Sequence, residues 1–127
     1  MAKLSQSMRW LVAALLVVAI LPLAGMGIPG RAVTVITPNG GERWKIGTVH
    51  TIQWQAVELG GPFHIEIQRQ PRGRWQNIAL VDGNDHYDWK VTGPVTNRAR
   101  IRVTATDPGG SYSDVSDGVF SIYQRGR

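Results

Sequence analysis

The chain has 127 residues and no cysteine, which excludes a disulfide framework and a thiolate metal site. Its formal charge of +5 is carried at the two ends: residues 1–32 hold Lys3, Arg9 and Arg31 without an acid, and the basic tail 124–127 holds Arg125 and Arg127. The remaining body sets nine Lys/Arg against nine Asp/Glu, so composition supports no global nucleic-acid field, and no nucleic-acid partner is expected.

Residues 1–9 are short, polar and basic, an expected cytoplasmic N-terminus. Trp10–Ile28 follows as nineteen residues without a charge. As a helix this run spans about 28 Å, close to the ~30 Å hydrocarbon core of a bilayer. Trp10 lies where an interfacial aromatic belongs, Leu16 and Ile20 fall in the apolar centre, and Pro22 sits where a kink or helix end is tolerated. A retained transmembrane signal-anchor is the preferred expectation. A cleaved signal sequence, with small-residue sites at Leu23-Ala24-Gly25 or Gly30-Arg31-Ala32, is the alternative and would make the protein secreted. Lys3 and Arg9 put the N-terminus inside and the following domain in the periplasm or the extracellular space. Residues 29–32 read as a short linker that keeps this domain near the cytoplasmic (inner) membrane.

From Ala32 onward the hydrophobic period changes to two. Val33–Thr37 is a first strand, closed by the turn Pro38-Asn39-Gly40-Gly41, and Trp44 and Trp54 flank a second turn at Gly47. One large ring from each side of that turn would plug each sheet of a sandwich. Thr48–Gln55 is a strand with His50, Ile52 and Trp54 on one face. Phe63, Ile65 and Ile67 alternate with polar residues in the next. Beyond the turn at Pro71–Arg74, Trp75–Val81 is a strand in which Trp75 falls out of phase with Ile78 and Leu80. Asp82–Asp85 turns again, then Tyr87, Trp89 and Val91 alternate with His86, Asp88 and Lys90. Ala99, Ile101 and Val103 alternate with Arg98, Arg100 and Arg102, Asp107–Gly110 is a turn, and Val119–Tyr123 is the last strand. Seven strands with no helical pattern over residues 33–123 predict one all-β sandwich of immunoglobulin-like size.

The run Pro38-Asn39-Gly40-Gly41-Glu42, Trp44, Gly47, then Ile52 and Trp54, resembles the immunoglobulin-like module of Ser/Thr-rich GPI-anchored and fungal β-glucan-synthesis wall proteins. That module also recurs in prokaryotic exported proteins. Tyr87-x-Trp89-x-Val91, Arg100 to Asp107 and Ser113 to Ile122 are similar to its later strands. The resemblance implies a seven-stranded immunoglobulin-like β-sandwich in an envelope setting, used as an accessory or spacer domain with no catalytic residues to carry over. Without a Ser/Thr-rich stalk or an attached enzyme in this sequence, a prokaryotic membrane-tethered protein is expected.

Chemistry-bearing patterns are sparse. His50, His64 and His86 lie on three separate strands with no metal-binding spacing. No serine sits in a nucleophile elbow. Asp82, Asn84, Asp85 and Asp88 imitate part of a calcium loop but lack its closing glutamate, and Asp107, Asp114 and Asp117 are weaker still. A side-chain-capped turn accounts better for both groups. No cofactor, metal or enzymatic activity is expected.

Arg98, Arg100 and Arg102 stand about 7 Å apart on one face of a strand. Such a row must be answered, either by cross-strand acids such as Glu66, at ~0.2–1 kcal/mol per exposed pair, or by an anionic partner. Trp75, beside Arg72 and Arg74, with Tyr112 in a loop and Tyr123 on an outer face, completes a candidate interface. The expected role is a non-catalytic accessory subunit whose sandwich docks on an integral-membrane protein complex while its N-terminal helix contacts lipid. The alternative is a wall- or glycan-binding module that stacks sugars on Trp75 and Trp44.

Overall fold

The computed structural model describes residues 30–126; Trp10, Leu16, Ile20 and Pro22 lie outside the described residues, as does everything expected of the stretch 10–28. Nine strands follow one another: β1 Ala32–Thr37, β2 Arg43–Lys45, β3 Val49–Val57, β4 Phe63–Gln68, β5 Trp75–Val81, β6 His86–Lys90, β7 Thr96–Asp107, β8 Gly110–Val115 and β9 Phe120–Tyr123. They form a three-stranded sheet, β1-β3-β6, and a larger one, β2-β9-β7-β4-β5, with β8 also paired to β7.

The fold is all-β and sandwich-like because alternating apolar residues give each sheet one oily face. Val33 and Val35 on β1 and Ile52 and Trp54 on β3 face Phe63, Ile65 and Ile67 on β4 and Ala99, Ile101, Val103 and Ala105 on β7. Trp44 and Trp54 do plug the two sheets. Trp44 is buried from β2, stacked on His50 at 4.7 Å and tilted against Phe120 at 5.1 Å. Trp54 is buried from β3, 5.4 Å from the Phe63 ring.

Two strands exceed the seven expected. β2 is three residues long and runs parallel to β9, too short for any period to show. β8, read from sequence as turn and loop, has only Tyr112 fully buried among polar residues. Its pairing partner makes it a strand: β7 runs to Asp107, and the hairpin through Gly110 brings Ser111 to Val115 back along its edge.

Between β8 and β9 the returning chain breaks step. Ser116, 3% exposed, accepts from the Ile101 amide at 3.1 Å and donates to the Pro38 carbonyl at 2.8 Å. That one hydroxyl ties the corner leaving β1 to the break in the larger sheet. Gly118 lies against Gly40 here, and the fit is tight: a Cβ on Gly118 would stand 3.2 Å from the Gly40 Cα, close enough that the backbone would have to give way by a few tenths of an ångström.

Candidate functional site

The outer face of the larger sheet is built by cross-strand register. Gln68 on β4 is opposite Trp75 on β5 and Arg100 on β7, and Glu66 is opposite Asn77 and Arg102. The out-of-phase Trp75 has a structural cause. A register shift opposite Ile65/Glu66 puts an extra residue into β5, so Trp75, Asn77 and Leu80 all share the face of Gln68, Glu66 and His64. Leu80 is consequently 69% exposed, while Ile78 packs against the core.

Arg102 is the hub of this face. Its guanidinium donates to Glu66 Oε1 through Nε at 3.0 Å and through Nη2 at 2.8 Å, and its Cζ lies 4.3 Å from the centre of the Trp75 ring. The carboxylate aims the arginine and the arginine covers one face of the indole. Trp75 is therefore half-buried rather than free-standing.

The arginine row is not uniform. Arg102 is answered by Glu66, as cross-strand pairing predicts. Arg100 is exposed opposite the neutral Gln68, and Arg98 falls within the register shift between Thr96 and Ala99 where β7 meets β9. Among the described residues neither has a carboxylate within ion-pair distance. Tyr123 is half-buried on β9 with the Arg43 guanidinium 5.1 Å over its ring. A shallow groove of about 440 Å³ runs beside it, lined by Arg43, Val95, Thr96, Asn97, Ser121 and Ile122.

Two aromatic assignments are corrected. Tyr112 is 6% exposed on the inner side of β8, because the strand that carries it was not recognised, so it offers nothing to a partner. Trp44 is 5% exposed and cannot stack on a sugar.

No protein-family model and no curated protein matches this sequence. Chemistry must be read from the residues themselves. Among the described residues no group of three or more His, Cys, Asp or Glu side chains stands where it could hold a metal ion. Nor is any helix there long and apolar enough to cross a membrane. Most of the aspartates have a structural use: Asp88 accepts from the Thr51 hydroxyl, Asp107 accepts from the Gly109 amide and pairs with Arg31, Asp114 accepts from the Val35 amide, and Asp117 from the Asn39 side chain. Asp85 accepts from His86 Nδ1 at 2.9 Å, and that hydrogen bond holds its carboxyl below the ordinary value.

Arg69 was missed from sequence. It donates to the Thr92 and Pro94 carbonyls, the Thr92 hydroxyl and Gln76, while Thr96 donates to its own carbonyl at 2.6 Å. Partial burial lowers its pKa from the usual arginine value. No local pattern marks it, because Thr92, Pro94 and Thr96 lie more than twenty residues downstream and only Gln76 is near in sequence. At the opposite end of the strands a second cleft of about 460 Å³ opens between the β3–β4 loop and the Asp82–Asp85 turn, floored by Leu59 and Phe63. Trp54 also borders it, and among the described residues no acceptor meets the buried Trp54 Nε1.

Proposed function

We propose that the protein is a non-catalytic, membrane-anchored accessory subunit with its folded domain on the extracytoplasmic side. Residues 10–28 act as the anchor, and the sandwich docks on and stabilises a larger membrane assembly. The strand order, with β2 parallel to β9 and the chain crossing between sheets at Pro38, supports an immunoglobulin-like assignment for residues 33–123. It is also what the resemblance to wall-protein modules implies.

The observation that carries the proposal is the outer face of the larger sheet. Trp75, Arg102 and Glu66 form a pre-set stack there, and Arg100 stands beside it with an uncommitted guanidinium. Arginine and aromatic rings held in fixed rotamers are what the centre of a protein interface uses, because little side-chain entropy is lost on docking. Solubilising membranes that contain the full chain and separating them on a native gel tests the proposal. Migration with a larger assembly, weakened by Arg100→Glu, is expected; migration alone in mild detergent would refute it.

A further inference from the structure

The charges of the folded body balance in number but not in position. One end of the strands carries the chain entry at Gly30 and Arg31, the β3–β4 loop, the Asp82–Asp85 turn and the β7–β8 hairpin. Glu58, Asp82, Asp85 and Asp107 lie at that end, and Arg31 there is already paired to Asp107. The other end carries Arg72 and Arg74 on the β4–β5 hairpin, Arg98 and Arg100 at the start of β7, and Arg43 and Lys45 on β2. The carboxylates of the same sheet leave these cations unanswered. Glu42 accepts from the Asn39 and Gly40 amides at 2.8 Å, and Glu66 holds Arg102.

β7 alone runs twelve residues, about 40 Å at strand rise. The two ends are thus several Debye lengths apart, each ~8 Å at physiological salt, and neither neutralises the other's field. A body with no net charge thus presents a basic pole and an acidic pole.

We infer that the basic pole binds an acidic segment of a partner protein. This rests on the accessory-subunit proposal and names the chemistry and place of docking. Lipid headgroups fit poorly: with residues 10–28 in the bilayer, the chain enters at the acidic pole and the arginines stand at the far end. The apolar lining points to a peptide rather than a polyanionic glycan. Val95 is 57% exposed at the groove beside Arg43, with the half-buried Tyr123 along its wall. An extended segment with glutamate or aspartate flanking an aliphatic side chain would satisfy both features at once.

The test uses the full chain in detergent and a fluorescent peptide of alternating glutamate and leucine, read by anisotropy. Arg98→Gln/Arg100→Gln is compared with Gln53→Glu/Gln55→Glu, which changes net charge equally on exposed positions of the other sheet. Loss of binding by about tenfold in the first and less than about twofold in the second is expected. Equal loss in both, or tighter binding to heparin or to phosphatidylglycerol vesicles than to the peptide, overturns the inference. If the arginine variant still co-purifies undiminished with the membrane assembly, this inference fails and the accessory role stands. If the parent binds the peptide with the expected variant pattern yet co-purifies with nothing, the acidic-segment site stands and the accessory role fails.

Discussion

Ser116→Ala removes one oxygen from the core and should cost more than most surface changes in the protein. The hydroxyl bonds the Pro38 carbonyl at 2.8 Å and the Ile101 amide at 3.1 Å, while the Ser116 amide keeps its own bond to the Ile101 carbonyl at 2.9 Å. Alanine therefore leaves one acceptor and one donor without a partner in a site where the serine is 3% exposed. An unsatisfied buried group costs about 1–3 kcal/mol, so the two together, with some relaxation, should cost about 2–4 kcal/mol. For a domain of this size that corresponds to a fall in Tm of about 10–25 °C. Urea and thermal unfolding followed by tryptophan fluorescence measure it, with Ser111→Ala, exposed on the preceding strand β8, as the control. A loss below about 0.5 kcal/mol would mean that the corner does not depend on this hydroxyl and would refute the account of how the sheets are stitched.

Glu66→Gln should loosen Arg102 from Trp75, shifting the tryptophan emission and costing about 1 kcal/mol in an unfolding titration, since both partners remain partly exposed. A double-mutant cycle with Arg102→Gln should show coupling; additive losses would count against the stack as a unit. Gly118→Ala should lower stability by about 1–3 kcal/mol by forcing a Cβ against Gly40, whereas Gly126→Ala, in open space, should leave the melting curve unchanged. The lowered Asp85 pKa makes a contribution that is present above the ordinary carboxylate value, ~3.9, and is lost as pH falls through the lower folded value. Replacing His86 by alanine should raise the Asp85 titration midpoint followed by NMR; an unmoved midpoint would remove the hydrogen bond as its cause.

Local alternation was enough to place Val33, Ile52, Trp54, Phe63, Ile65, Ile101 and Val103 in the core, because a strand's side chains point to opposite faces whatever lies beyond it. It was enough to put His64 and His86 outside, and to mark Glu66 as an outward acid able to answer the arginine row, though only the pairing of β4 with β7 chose Arg102 as its partner. The phase of Trp75 against Ile78 and Leu80 was legible, but the bulge that puts Trp75 and Leu80 on one face was not. What pairing over distance decided could not be read that way. Tyr112 is buried only because β7 extends far enough for β8 to fold back along it. Arg98 stands beside a register shift only because β9 meets β7 out of step. Ser116 and Arg69 look like ordinary polar residues until Pro38, Thr92 and Pro94 are brought to them. Charge shows the same division. The sequence determined that nine cations meet nine acids; only the path of the chain through two sheets decided that six of the cations gather at one end and four of the acids at the other, because composition counts charges and a field depends on where they stand.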